Sequence, residues 1–436
     1  MNNGLGTGRQ PAPAGSFSLM TDAIRVSPSR VSPWRMFSPR LRFGLRLAAI
    51  SALLAGCNPM VRSGAPGGRD LKLGTPATQA APSAQASADE QIGNGAIKIG
   101  LIVPLTQASG PSVVGASLRN AAQLAYADSG VNDVSILVKD DRSTPAAAAA
   151  AAQAAINEGA EIILGPVFAA DVKEAGRVAR ASGRPVIAFS TDASAATAGT
   201  YLLSFLVDSY VERIVDFAAQ RGKKSIAALI PENDYGTLAL AQFQQSAANH
   251  GLRVLTIERY KPSALAESVG RIAAVREQID SLFIPEQSEA MASVSRELAA
   301  AGLDSKKVQI LGTGLWNDAR VLKLPALQGA WFSAPENTGF NAFAQRYRAK
   351  FGSDPARIAT LAYDAVSLAI ALSHTQGSQR YSESVLTNPS GFNGADGVFR
   401  FRADGTNERG LSVLEITQGS AKVVSPAPRT FTGNGA

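Results

Sequence analysis

The strongest constraint on the fold is a repeated alternation of short apolar runs and helix-forming stretches that begins at Ile97. The runs 97–103, 134–138 and 161–164 have the length and β-branched content of buried strands. The stretches between them carry apolar residues at helical spacing, and one opens with Pro145, a residue favoured at the first position of a helix. Strands and helices that alternate in this way predict βαβ units, so the fold class is α/β with mainly parallel sheets.

The alternation stops near Phe205 and then starts again, so the chain carries two blocks of strands and helices. Each block holds more than about 100 residues, and two such blocks fit poorly around one hydrophobic core. The sequence therefore predicts two doubly wound lobes joined by a hinge. Ligands in such folds bind outside the carboxyl ends of the strands, which places a site in the cleft between facing lobes.

The expected domain boundaries follow from these patterns. They are a signal segment at 1–57, a disordered tether at 58–96, lobe 1 at 97–206 and 335–390, lobe 2 at 207–334, a C-terminal strand pair near the hinge and lobe 2 at 391–420, and a disordered tail at 421–436. We expect the chain to cross between the lobes near 205–208, 334–337 and 390–394, and these crossings would form the hinge.

The N-terminal segment has the pattern of a bacterial lipoprotein signal. Several arginines lead into an apolar stretch at 47–55, which is too short to cross a bilayer, because crossing roughly 30 Å takes about 20 apolar residues. The stretch ends in LAGC at 54–57, which resembles the lipobox, and Cys57 is the only cysteine of the chain. The resemblance implies a lipid on Cys57 and a periplasmic protein anchored to a membrane. A start at Met36 would give a signal of conventional length, so we expect the true start at Met36 or Met20.

The positive charge of the chain belongs to this segment. The formal net charge is +7, and residues 1–57 hold seven arginines against one acidic residue. The remainder is close to neutral, with scattered aromatic residues, which argues against a nucleic-acid partner. Residues 58–96 are rich in Gly, Pro, Ala, Ser and Gln, so they bury too little apolar surface to offset their ordering entropy, and we expect a tether there.

The residue inventory disfavours an enzyme. The two histidines, His250 and His374, fall near the ends of predicted helices, where a cation complements the helix dipole. No nucleophile and base can be paired, and no phosphate-binding or dinucleotide-binding glycine motif follows a strand, so we expect no catalytic residue, no cofactor and no metal. Asp140 and Asp141 follow a strand, and we interpret them as a solvated strand end.

Small polar residues at the predicted strand ends are candidates for ligand binding. Ser109 follows the first strand, Phe168 follows the third, and Ser190 and Thr191 follow the run 185–189. Hydroxyl groups and free backbone N–H groups at helix starts can hold a carboxylate or another polar head group. The alternative is that these serines and threonines only cap helices and form turns.

The order of motifs from Ile97 to about Ile416 resembles the type I periplasmic binding fold, specifically the leucine/isoleucine/valine-binding family of ABC-importer receptors. The likeness rests on the motifs PLT at 104–106, ILGP at 163–166, NDYG at 233–236 and YDAV at 363–366, with a hairpin at 394–401. The resemblance implies a non-catalytic receptor whose lobes close on a small ligand.

The resemblance also implies roles for single residues. Tyr235 matches an aromatic residue that contacts ligand, and Ser190 and Thr191 match the loop that holds the ligand's head group. Phe168 stands near the position of a ligand-binding serine, and TGLW at 313–316 replaces the segment that supplies an acid for an α-ammonium group. An unpaired buried ammonium is costly, so the ligand need not be a zwitterionic amino acid. Two further residues are considered: Glu286 as a substitute acid, and Trp316 either in a pocket or in the core.

Two functions therefore remain, each with its own partners. The first is a lipid-anchored receptor that binds a small polar ligand, an amino acid or a related compound, for an ABC permease. The alternative is a lipoprotein similar to penicillin-binding protein activators, which regulate peptidoglycan synthesis by direct contact with a penicillin-binding protein. A hydrolase is disfavoured, because the residues offer no nucleophile with a base.

Overall fold

The structure is a computed structural model and describes residues 89–431. The strands of the first part of the chain are β1 (Asp89–Ile92), β2 (Ile97–Val103), β3 (Thr106–Gln107), β4 (Gly110–Pro111), β5 (Val134–Asp140), β6 (Ile162–Leu164), β7 (Val186–Ala188) and β8 (Thr200–Leu202). Six of them form one sheet in the order β1-β5-β2-β6-β7-β8, and β3 pairs only with β4. All neighbours in the six-stranded sheet run parallel except β1 and β5.

The later strands build a second large sheet and a small one. They are β9 (Ser225–Pro231), β10 (Arg253–Tyr260), β11 (Ser281–Phe283), β12 (Gln309–Gly312), β13 (Trp331–Ala334), β14 (Phe392–Gly394), β15 (Gly397–Phe401), β16 (Asn407–Arg409), β17 (Ser412–Thr417) and β18 (Ser420–Ser425). The seven-stranded sheet has the order β10-β9-β11-β12-β13-β17-β18, in which β17 pairs antiparallel with both β13 and β18. The strands β14, β15 and β16 form the small antiparallel sheet.

Helices cover both faces of each large sheet. They are α1 (Val113–Ser129), α2 (Pro145–Asn157), α3 (Ala169–Ala181), α4 (Val207–Gln220), α5 (Asp234–Asn249), α6 (Leu265–Ala274), α7 (Met291–Ala300), α8 (Ala319–Leu322), α9 (Asn337–Phe351), α10 (Ala359–Thr375) and α11 (Glu383–Leu386). The first sheet packs between α1, α9 and α10 on one face and α2 and α3 on the other, and the second packs between α4 and α5 on one face and α6 and α7 on the other. None of the helices in residues 89–431 is long and apolar enough to cross a membrane.

We call the six-stranded unit lobe 1 and the seven-stranded unit lobe 2. The predicted class, α/β with two doubly wound lobes and a hinge, is confirmed. The chain crosses between the lobes after β8, after β13 and between β16 and β17. The last crossing, at 410–411, corrects the expected one at 390–394. The reason is that Phe399 and Phe401 of β15 insert into the core of lobe 1, so the chain leaves that lobe only after β16.

Two segments expected to be disordered contain strands at sheet edges. Within the expected tether, residues 89–92 form β1, where Glu90 accepts two hydrogen bonds from Arg119 at 2.8 and 2.7 Å. Within the expected tail, residues 421–425 belong to β18, which pairs with β17. In each case backbone pairing with an edge strand supplies the stabilisation that polar side chains do not. The predictions for 1–57 with Cys57, for 58–88 and for 432–436 lie outside the described residues.

The acidic pair Asp140 and Asp141, at the end of β5, is not a solvated strand end. Asp140 accepts hydrogen bonds from the backbone N–H groups of Leu105 and Thr106 at 3.0 and 3.1 Å, and it also accepts one from the Thr106 hydroxyl. Asp141 has no exposed surface. The Asp140 carboxylate therefore holds the turn after β2 against the end of β5, while the Asp141 side chain accepts from the Ser143 N–H at 2.8 Å. The histidines lie as predicted, His250 at the C-terminal cap of α5 and His374 in the last turn of α10.

Candidate ligand-binding cleft

A cavity of about 490 Å³ lies between the two lobes. Lobe 1 and its first crossing contribute Thr191, Phe205, Arg357 and Ile358. Lobe 2 and the second crossing supply the rest of the lining: Val207, Tyr210, Tyr235, Gln287, Ser288, Glu289, Gly314, Leu315, Asn317, Ala334 and Pro335. The cavity therefore forms only where residues of both lobes face each other.

The position of the cavity follows from the direction of the strands. Thr191 comes shortly after β7, Tyr235 after β9, the segment 287–289 after β11 and the segment 314–317 after β12. Because these strands run parallel within each sheet, their carboxyl ends meet at one edge. Ligands bind at such edges in open α/β sheets, so the lining is built from the loops that the fold places there.

The start of α5 sets the position of Tyr235. The Asn233 side chain caps this helix by accepting a hydrogen bond from the Gly236 N–H at 2.7 Å. Position 236 requires glycine, because a Cβ there would lie 2.0 Å from the carbonyl oxygen of Pro231. The Tyr235 hydroxyl donates to Thr313 Oγ1 at 2.9 Å, and burial raises the pKa of this phenol. Tyr235 is therefore a neutral, positioned side chain of the cleft at physiological pH.

The lining is mainly apolar and aromatic, and among residues 89–431 only Arg357 and Glu289 contribute charged side chains to it. Glu289 contacts Arg320 at 3.0 Å, and its pKa is held below the usual range, first by its own backbone N–H and then by Arg320. Burial raises the pKa of Tyr210 to about 12, so that phenol stays neutral as well. The cleft thus offers a large apolar surface and few polar groups, which is the usual chemistry of small-molecule sites.

Two of the predicted site residues, Thr191 and Tyr235, line this cavity together. Ser190 lies beside them but is buried, and its hydroxyl accepts a hydrogen bond from the Asp192 N–H at 3.1 Å, which orders the loop. Ser109 is exposed in the turn between β3 and β4, where it binds the Gln107 amide at 3.0 Å. Phe168 is 48% exposed at the start of α3. Neither Ser109 nor Phe168 lines the cavity.

The structure places Glu286 and Trp316 in the interior of lobe 2. The carboxylate of Glu286 is buried, where it accepts hydrogen bonds from the Tyr260 hydroxyl and, at 2.7 Å, from the Gln287 N–H. Trp316 has no exposed surface and packs so closely on Gly312 that a Cβ there would lie 2.2 Å from the indole ring. Of the two alternatives for Trp316, the structure shows core packing.

Sequence reasoning missed several residues of the cleft, above all Phe205, Tyr210 and Arg357. One feature of the sequence could have identified Phe205: it begins the first expected crossing, and residues of a crossing between two lobes lie beside the cleft between them. Tyr210 lies in α4 with the spacing of a core residue, and Arg357 precedes α10 without any motif. Among the described residues no cluster of three or more His, Cys, Asp or Glu side chains could hold a metal ion.

The family model for periplasmic binding proteins matches residues 96–421. The chain belongs to the periplasmic binding protein family. This is a family of solute-binding proteins rather than enzymes, so the resemblance seen in the sequence is confirmed. No curated protein sequence matches this periplasmic binding protein significantly.

Solved structures share the fold over most of the chain. One from Rhodospirillum rubrum, provisionally described as a branched-chain amino acid ABC transporter, is 19% identical with a TM-score of 0.68 and covers 75% of this chain and 99% of its own. A leucine-binding protein from Thermotoga maritima is 22% identical with a TM-score of 0.54, covering 76% and 98%. A solute-binding protein of an R. palustris ABC transporter in complex with benzoate is 20% identical with a TM-score of 0.53, covering 77% and 97%.

Proposed function

We propose that this periplasmic binding protein is a lipid-anchored receptor that captures a small polar ligand, an amino acid or a related compound, and presents it to an ABC importer. The observation that carries the proposal is the cavity between the lobes, which draws its lining from both. A site shared by two lobes binds best when the lobes close, so ligand capture and closure are coupled.

The named relatives support the importer. The Thermotoga protein is described as leucine-binding, and the R. palustris protein belongs to an ABC transporter. The alternative, a penicillin-binding protein activator, has no such support. Thr191 and Tyr235 are proposed ligand contacts, because both lie at strand ends and line the cavity. Ser190 is proposed to act beside them by ordering the loop that carries Thr191.

Membrane attachment is proposed to occur through a lipid on Cys57, in the segment that resembles a lipobox. Acyl chains bury many CH₂ groups at about 0.8 kcal/mol each, which suffices for stable anchoring. The test is Cys57→Ala. The variant should leave the membrane fraction for the soluble fraction and stop incorporating labelled palmitate, whereas a variant that stays with the membrane contradicts the anchor.

Ligand capture is tested by thermal melting of the purified full chain against amino acids and small carboxylates. A ligand that binds only the folded state raises the melting temperature, by an amount set by RT ln(1 + [L]/Kd). We expect a shift with at least one compound and its loss when the cleft is altered. A melting temperature that no compound raises contradicts receptor function.

A further inference from the structure

Arg357 is the only cationic side chain in the described part of the chain that lines the cavity, and neighbours on three sides hold it in place. Its guanidinium donates to Asp396 through Nη1 at 2.9 Å and Nη2 at 2.7 Å. The guanidinium carbon also lies 4.9 Å from the ring centre of Phe205 and 4.5 Å from that of Phe340. A bidentate pair between two aromatic faces fixes both the plane and the position of the group.

This pairing leaves donors available on the guanidinium. Arginine has five N–H groups; two donate to Asp396, and a third, on Nη1, lies 3.4 Å from the Thr360 hydroxyl. No described residue accepts from Nε or from the second Nη2 hydrogen, and the side chain is 37% exposed, whereas that of Asp396 has no exposed surface. Arg357 therefore faces the cavity with donors available for another oxyanion.

The surroundings of Arg357 leave a positive potential on this side of the cleft. Arg409 is buried near Asp396 and Asp364, and its two Nη atoms have no hydrogen-bond partner among residues 89–431. Burial raises the pKa of Asp364 to about 7, so near neutral pH this carboxyl carries only part of its charge. The guanidinium groups of Arg357 and Arg409 therefore share the acids Asp396 and Asp364, and the second of these carries only part of its charge near neutral pH.

Among the described residues that line the opposite wall, no acid lacks a cationic partner, so none is available to pair an ammonium group. Its only acid, Glu289, is 67% exposed and already contacts Arg320. Most of the remaining lining is apolar or aromatic, for example Val207, Leu315 and Ile358. A ligand ammonium buried against such a wall would lose its hydration and meet only neutral oxygens, such as those of Gln287 and Ser288, instead of an available carboxylate, which is costly.

We infer that the cleft binds a small monocarboxylate with a branched or aromatic body and no α-ammonium group, and that Arg357 binds its carboxylate. This inference rests on the proposed receptor function and narrows its ligand class. The apolar body occupies the wall formed by lobe 2, and the carboxylate completes the coordination of Arg357 at lobe 1. Arg357 and its aromatic neighbours are thus the residues that determine specificity.

The test is isothermal titration of the full chain with two matched series. One series is 4-methylpentanoate, leucine and 4-methylpentanamide, and the other is 3-phenylpropanoate, phenylalanine and 3-phenylpropanamide. Within a series the members share the apolar body and differ only in the ammonium or the carboxylate. We expect the carboxylate of at least one series to bind tenfold or more tightly than both of its partners.

A second arm uses variants. Arg357→Gln should weaken carboxylate binding tenfold or more and change amide binding less than threefold, while Arg357→Lys should keep part of the affinity. Arg320→Gln, which alters the other arginine at the cleft rim, is the matched control and should change carboxylate binding less than threefold. If the Arg357→Gln variant does not fold, the comparison of carboxylate, amino acid and amide on the unaltered protein still tests the ligand class.

The two proposals fail in different ways. Tighter binding of leucine or phenylalanine than of the matched carboxylate overturns the ligand class and leaves the receptor function intact. Equal affinity for carboxylate and amide, or a carboxylate affinity that Arg357→Gln does not change, overturns the role of Arg357. If neither these six compounds nor any compound in the melting screen binds, both proposals fall.

Discussion

Replacing Asp141 with asparagine should remove a pH-dependent loss of stability. Asp141 has no exposed surface, its Oδ1 accepts a hydrogen bond from the Ser143 N–H at 2.8 Å, and its Oδ2 has no hydrogen-bond partner in residues 89–431. Burial, with a smaller contribution from the neighbouring acids Asp171 and Asp140, raises its pKa from 3.8 to about 7. A buried carboxylate without a cationic partner is costly to ionise, and asparagine keeps the shape of the side chain without its charge.

The magnitude follows from proton linkage. Between pH 4 and pH 7 the folded protein holds a proton at Asp141 that the unfolded chain has lost, so the free energy of unfolding falls as the pH rises. At about 1.36 kcal/mol per pKa unit, this residue costs about 2.5 kcal/mol between pH 5 and pH 8. The asparagine variant does not titrate and escapes that loss.

Urea denaturation at pH 5, 6, 7 and 8 measures the effect. The difference in free energy of unfolding between the variant and the unaltered protein should increase by about 2.5 kcal/mol from pH 5 to pH 8, in favour of the variant. Asp140→Asn is the matched control: Asp140 accepts four hydrogen bonds, so its replacement should lower stability at pH 8. Stability curves of the unaltered protein and the Asp141 variant that run parallel across this range would refute the reasoning.

Three further predictions concern packing and the cleft. Gly115→Ala should lower the free energy of unfolding, measured in urea, by about 2 kcal/mol or more, because a Cβ there would lie 1.9 Å from the Pro104 carbonyl oxygen. Gly270→Ala in α6 is the contrasting variant: a Cβ there meets open space, so the free energy of unfolding should rise by about 0.5–1 kcal/mol. Trp316→Phe should cost about 1–3 kcal/mol in the same titrations and change ligand affinity less than threefold. Tyr235→Phe should weaken ligand binding in calorimetry more than it lowers stability, since it removes a hydroxyl group of the cleft.

Hydrophobic periodicity carried most of the fold prediction. The buried strands β2, β5 and β9 are continuous apolar runs, and the helices between them show their apolar faces in the sequence. The edge strands β1 and β18 escaped detection because little of either strand is buried. Their formation depends on an unpaired neighbouring strand, which is a property of the assembled sheet and not of a local pattern.

The cleft was less predictable, because small shifts along the chain decide which side chains face it. Glu286 and Glu289 are three residues apart, yet the first is buried in lobe 2 and the second lines the cavity. In the short turn after β12, Leu315 and Asn317 face the cavity while Trp316 between them points into the core. Arg357 is positioned by Asp396, which is 39 residues away, and no local reading of a sequence reveals such a contact.

The three crossings between the lobes have a consequence for how the molecule is made. Lobe 1 needs Phe343 of α9, the whole of α10 and Phe399 of β15, all synthesised after lobe 2 has begun, and lobe 2 in turn waits for β17 and β18 near the end of the described chain. Lobe 1 therefore cannot complete its core before β15 has been synthesised, and lobe 2 cannot complete its sheet before β18. Because contacts between such distant segments require long loops to close, we expect each lobe to fold slowly and only after most of residues 89–431 are available.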